Sequence, residues 1–271
     1  MIKAWSYIEE YKDLRKKILK SIDVALKSGQ IFFGRELQKF EKRFIKENNL
    51  KYGVAVGSGT DALYIALLGL GIKPGDEIIT VSNTAIPTIS AIRSCGAKVR
   101  FADISSDYLI NTDNIEKYIS KNTKAIIPVH YAGVSCEMDI IMNIANKYDI
   151  PVIEDNAHGL FGKYNGRYLG TFGTFATQSF HETKNFNCGE GGALLINDEQ
   201  YIERAEIIRE KGTNRTKFFR GKVDKYTWVD IGSSYLLSDL LAAFLYAQLE
   251  QRDNIQLKRK MIFETYYSEL K

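Results

Sequence analysis

The chain is poor in proline, cysteine, histidine and tryptophan, with 4, 3, 3 and 2 of them among 271 residues. Three cysteines (Cys95, Cys136, Cys188), odd in number and without paired spacing, argue against a disulfide scaffold. With three dispersed histidines they form no metal-ligand pattern, so no metal is expected. No apolar run approaches the roughly 20 residues that span a bilayer. The opening Met1-Ile2-Lys3-Ala4-Trp5 passes into a charged helical pattern, unlike a signal peptide. The expectation is a reduced, cytoplasmic protein with no membrane partner. Neither sign of charge dominates: 37 basic against 33 acidic residues leave a net +4, too mild to call for nucleic acid.

What is present is ordinary globular material, 45% hydrophobic with 16 Tyr and 14 Phe, enough for a sizeable core and too aromatic for disorder. Apolar positions recur at helical spacing over 7–28, and a second helix is expected over 35–47. Short apolar runs at 53–56, 77–81, 98–102, 125–129 and 151–154 then alternate with helical patterns near 60–70, 84–95, 113–119 and 137–148. That order predicts an α/β fold with a mostly parallel sheet covered on both faces. The helix at 60–70 is apolar nearly all round and should be buried. Glycines make 156–173 loop-like. Strands near 174–180 and 192–196, a helix at 198–211, an irregular stretch at 212–235 and a long helix from Leu237, with room for a bend, complete the pattern. The chain ends inside that helical pattern, which reads as a missing C-terminal segment.

Ligands of parallel sheets bind beyond the carboxyl ends of the strands, so residues just after each strand carry the functional candidates. Gly57-Ser58-Gly59-Thr60-Asp61 opens the buried helix. It reads either as an N-cap turn or as a phosphate cradle of free N–H groups and helix dipole. Asp155 ends a strand, as a turn cap or as a buried carboxylate facing a cationic ring nitrogen. Lys184, in Ser179-Phe180-His181-Glu182-Thr183-Lys184-Asn185, is a solvated loop lysine or an imine-forming nucleophile in a desolvated cleft. Phosphate turn, carboxylate and lysine in one domain together match the needs of pyridoxal phosphate (PLP).

On these stretches, with Pro74-Gly75-Asp76-Glu77 and Pro128-Val129-His130, the sequence resembles the DegT-type sugar-nucleotide aminotransferases. Their fold is fold type I, the three-layer α/β/α architecture of aspartate aminotransferase. The resemblance covers essentially the whole chain. Over 179–249 it is nearest to dTDP-4-amino-4,6-dideoxygalactose transaminases, through the 179–185 motif and Lys225-Tyr226-Thr227-Trp228. The opening residues and 81–90 look more like sugar 3-aminotransferases. The resemblance implies a large PLP-binding domain over 1–235 and, over 236–271, a linking helix and the start of an incomplete small domain. It implies PLP as cofactor, with Lys184 as the catalytic base and acid. Gly59, Thr60 and Ser179 would hold the phosphate, Asp155 the ring nitrogen, and His158 would lie near the ring oxygen. Family members are homodimers with shared active sites; Ser234 stands where a partner-donated Asn is common. L-glutamate would be the amino donor and a dTDP-linked keto-deoxysugar, dTDP-4-keto-6-deoxyglucose, the acceptor. A 3-keto isomer is the alternative acceptor, and a truncated, silent PLP-binding or dimerising fragment the alternative class. Related dehydratases replace the lysine with His, so Lys184 argues against that chemistry.

Other residues carry two readings each. His130, Tyr131, His181 and Glu182 are substrate candidates, with structural or surface roles as the alternative. Arg215, Lys217, Arg220 and Lys222 form a solvated loop or touch a nucleotide diphosphate. Lys258-Arg259-Lys260 is a solvated helix face. Ala85 replaces the aromatic residue that stacks on the cofactor in many relatives.

Overall fold

The computed structural model describes residues 8–270. Its elements are α1 (Ile8–Lys27), α2 (Arg35–Glu47), β1 (Tyr52–Val56), α3 (Gly59–Gly69), β2 (Glu77–Val81), α4 (Ile86–Ser94), β3 (Lys98–Ala102), β4 (Thr123–Ile126), α5 (Met138–Tyr148), β5 (Ile153–Asp155), β6 (Lys163–Tyr164), β7 (Arg167–Tyr168), β8 (Phe175–Ser179), β9 (Gly192–Ile196), α6 (Ile202–Arg209), α7 (Arg215–Phe219), α8 (Asp239–Leu249) and α9 (Arg252–Glu269). They cluster into two compact units: Met1–Arg43 with Ser238–Lys271, and Phe44–Leu237. Sequence had grouped the N-terminal helices with the sheet. Instead Leu14 and Ile18 of α1 share a buried cluster with Ala247 of α8, because α1 presents one apolar stripe that needs an apolar helix against it.

In the larger unit β4 joins β5 through parallel bridges at Ile126–Val152 and Val129–Asp155. This makes one sheet in the order β3-β2-β4-β5-β8-β9-β1. Only β9 runs against its neighbours β8 and β1. Side chains alternate between two cores. Ile78, Ala125 and Ile153 join α3, α4 and α6 on one face, and Ile79, Ile126 and Val152 join α5 on the other. Both faces are therefore covered, which is why the strands read as nearly continuous apolar runs. Seven residues of α3 are buried, Leu63, Ile65 and Leu67 among them. Each such aliphatic side chain contributes about 1.5–3 kcal/mol by leaving water.

Two expectations need correcting. Residues 112–118 form a 3-10 helix and not an α-helix. The stretch read as loop contains the hairpin β6–β7, closed by Asn165 and Gly166, both at positive φ. The bend allowed for in the C-terminal helix falls between α8 and α9, at Glu250 and Gln251.

Candidate active site

At the carboxyl ends of β1, β2, β4, β5 and β8 lies a cavity of about 630 Å³. The turn after β1 forms its first wall. Ser58 is extended and caps α3, accepting a hydrogen bond from the Asp61 N–H at 3.0 Å. The N–H groups of Gly59 and Thr60, in the first turn, have no intrahelical partner and project from the positive end of the helix. The turn lies tight on the sheet: a Cβ on Gly192 would stand 2.3 Å from the Ser58 carbonyl oxygen, and one on Gly59 would stand 2.9 Å from Ser179 Cβ. Glycine is required at both places by close approach. Ser179 is thereby brought against the turn that opens α3.

Asp155 ends β5 in the floor, only 6% exposed. Its main chain is locked between strands, its N–H donating to Pro128 O at 2.9 Å and its carbonyl accepting from the His130 N–H at 3.1 Å. Its carboxylate accepts from Thr88 Oγ1 at 2.8 Å and from the Ala157 N–H at 3.3 Å. Lys184 follows β8 in the loop 180–191 and is half-buried in the cavity wall. Burial pushes its amine below the ordinary lysine range, with the charge of Asp155 pulling the other way. His158 is also held down, by burial and then by the Lys184 charge. Its Nδ1 accepts from the Ala132 N–H at 3.2 Å, so the proton of the neutral ring sits on Nε2.

Of the residues expected at the site, Gly59, Thr60, His130, Tyr131, Asp155, His158, Ser179, His181 and Lys184 line the cavity. The His130 ring already has partners within the protein. It is fully buried, with Nε2 donating to Glu154 at 3.1 Å and Nδ1 accepting from the Cys136 N–H at 3.2 Å, so both nitrogens are taken. Glu182 is exposed and outside the cavity; Ser234 is exposed and lines no wall of its own chain's cavity. The basic stretch, expected to be a solvated loop or a diphosphate contact, instead forms α7 in part, and three of its cations are paired. Arg220 is bonded to Glu206 and the Tyr52 hydroxyl, Arg215 to Glu210, and Lys217 to Glu203. Sequence reasoning missed Asn83, Thr88 and Glu190. Thr88 sits one helical turn beyond Thr84, itself at the carboxyl end of β2, and that strand end was the signal for it. Among the described residues no cluster of three or more His, Cys, Asp or Glu could hold a metal ion, and no helix is long and apolar enough to cross a membrane. The three cysteines are free and buried.

A model of the DegT/DnrJ/EryC1/StrS aminotransferase family matches residues 12–271. The chain belongs to that family. It is 38% identical over 249 residues to the uncharacterized protein MJ1066 of Methanocaldococcus jannaschii, covering 90% of this chain and 64% of that one. Among solved structures it is similar to DesV of S. venezuelae (33% identity, TM-score 0.84, 92% of this chain and 65% of that one). It is also similar to NtdA of Bacillus subtilis with bound cofactor PMP (32%, TM-score 0.79, 88% and 53%). A PLP form of the putative sugar aminotransferase Spr1654 of Streptococcus pneumoniae matches at 27% identity and TM-score 0.85, over 93% of this chain and 68% of that one. The fold is therefore fold type I. The chain spans less than two thirds of the length of MJ1066, DesV and NtdA.

Proposed function

We propose that this chain carries the active site of a PLP-dependent sugar-nucleotide aminotransferase. One observation carries the reading: a half-buried lysine with a depressed amine, a buried carboxylate and the open N-terminus of a buried helix converge on one cavity. The donor set fits the cofactor. Gly59, Thr60 and Ser179 would hold its phosphate and Asp155 its protonated ring nitrogen. His158, neutral with its hydrogen on Nε2, would hold the ring's oxygen side. Bound there, PLP supplies a carbonyl for amine exchange and a ring that takes up the electron pair left when an amino donor loses its Cα proton. The Lys184 amine, more often neutral than an ordinary lysine's, would hold the cofactor covalently, then take the Cα proton and return it across the shared nitrogen to the cofactor's C4′. The two half-reactions would deaminate L-glutamate and aminate a keto-deoxysugar carried on dTDP.

By the resemblance over 179–249, the acceptor is dTDP-4-keto-6-deoxyglucose and the product dTDP-4-amino-4,6-dideoxygalactose. Amination at C3 of a 3-keto isomer is the second reading, favoured by the resemblance of residues 81–90 to sugar 3-aminotransferases. Two chains would share their sites as a homodimer, with Ser234 turned to the partner.

The test is an absorbance titration of the purified protein with PLP, then borohydride reduction and peptide mapping, then a single turnover with L-glutamate. PLP fixed to Lys184 and release of 2-oxoglutarate are expected. Folded protein that takes up no PLP, or fixes it elsewhere, overturns the reading.

A further inference from the structure

Threonine in a helix commonly returns its hydroxyl to a carbonyl one turn back. Thr88, in the first turn of α4 and fully buried, does not. Its Oγ1 reaches across to β5 and lies 2.8 Å from Asp155 Oδ2. Behind it, Thr84 Oγ1 lies 2.7 Å from Thr88 Oγ1. Chemistry fixes the direction of this chain. A carboxylate can only accept, so Thr88 donates to Asp155. The Thr88 hydroxyl has then spent its one hydrogen, so Thr84 donates to Thr88.

The effect falls on Asp155. Its other oxygen has only the long, 3.3 Å contact from the Ala157 N–H, and its two backbone bonds fix the Cα but not the rotation of the carboxylate. The hydroxyl of Thr88 is the short side-chain contact that sets that rotation. Two hydrogen bonds in series polarise one another inside a low-dielectric core, so the outer hydroxyl strengthens the inner one.

We propose that Thr88 is a positioning residue for the cofactor: backed by Thr84, it aims the Asp155 carboxylate at the ring nitrogen of bound PLP. The proposal rests on the function proposed above. It accounts for a buried hydroxyl in a helix whose neighbours Ala91 and Ile92 are apolar core. It also gives Thr84 a task distinct from substrate contact, although Thr84 lines the cavity.

The test measures PLP affinity of the full chain by titration, beside the melting temperature of the PLP-free protein. Thr88→Val is expected to weaken PLP binding about tenfold, and Thr88→Ser, which keeps the hydroxyl, by less than about twofold. In an Asp155→Asn background Thr88→Val should add less than about twofold, because its route runs through the carboxylate. The pH dependence of the bound-cofactor absorbance should shift in Thr88→Val and stay in place in Thr88→Ser. Equal losses in Val and Ser variants, or a full tenfold loss persisting on Asp155→Asn, would overturn the proposal and leave the proposed function standing. If Thr88→Val does not fold, Thr84→Val takes its place, with a loss of about threefold expected in the native background and none on Asp155→Asn; any other pattern overturns the proposal. Native protein that binds no PLP removes both readings at once.

Discussion

The same sheet has a cavity at each end, and the larger one is not the candidate site. At the amino ends of the strands a cleft of about 790 Å³ is lined by Lys73, Asp76, Lys121, Lys124 and Asp149 among others. At the carboxyl ends the cavity is about 630 Å³. The first is the more generously charged, yet its lysines are exposed and its buried Asp76 is spent on the Lys73 N–H at 2.9 Å. Solvated charges keep ordinary chemistry. At the other end Lys184 and His158 are half-buried and shifted, Asp155 is buried and aimed, and α3 presents its N-terminus. The asymmetry comes from the fold, since parallel strands feeding helices place helix N-termini and return loops at their carboxyl ends. Volume and formal charge do not mark a site; desolvated, directed groups do.

The sharpest way to break this contrast is Lys184→Ala. Single-turnover formation of 2-oxoglutarate from glutamate should fall by at least about 10³-fold, as loss of a positioned base and acid costs. Undiminished turnover would place the chemistry elsewhere. Next in size is the buried support of the floor. Glu154 accepts from the N–H groups of Gly170, Phe172 and Gly173 at 2.7–2.8 Å and from His130. Glu154→Gln presents donors to donors, and chemical denaturation should show a loss of about 3 kcal/mol. Asp155→Asn should then weaken PLP about 10- to 100-fold by removing a charge-assisted bond, read by titration. The pH dependence of the cofactor-free protein gives a smaller effect. Lys184 has a folded-state pKa below its unfolded value, so between the two the unfolded chain binds more protons. Stability should therefore rise with pH as it climbs through that window toward the ordinary lysine value, and Lys184→Met should flatten the slope in denaturation curves. Smallest of all, Lys121→Ala and Lys124→Ala should change PLP affinity by less than about twofold, since solvated charges contribute little. A larger effect there would erase the distinction between the two ends.

The sequence made much of this legible because the decisive signals are local. An apolar α3, a small-residue turn before it, and an acid and a lysine after strands are each written within a few adjacent residues. The misreadings have physical causes. The β6–β7 hairpin has two residues per strand, too short for alternation to register, although Tyr164-Asn165-Gly166-Arg167 carries the Asn-Gly signal of a tight hairpin. The 3-10 helix at Thr112–Tyr118 keeps the same apolar spacing as one α-helical turn, with Ile115 fully buried. His130 does line the cavity, but its ring is engaged by Glu154 of β5, a partner 24 residues away that no local pattern shows. The end of β2 pointed to the neighbourhood of Thr88, but its bond to Asp155 was not legible, because the two lie 67 residues apart and no spacing rule joins an α4 hydroxyl to a β5 carboxylate.

The reversed strand β9 has a consequence for how the protein is made. Val56 pairs with Gly192, and the Ser58 carbonyl rests on Gly192, so the turn that opens α3 leaves the ribosome early but waits for the last strand of its sheet. Until β9 docks, β1 has no strand of its sheet beside it, and the bridge from Val56 to Leu236 forms later still. Such long-range pairing is slow to form and leaves strand edges open to wrong partners meanwhile. Under the proposed function, a cofactor held by the turn and Lys184 together would come too late to guide the nascent chain. It can only hold, by mass action, a sheet that has already closed.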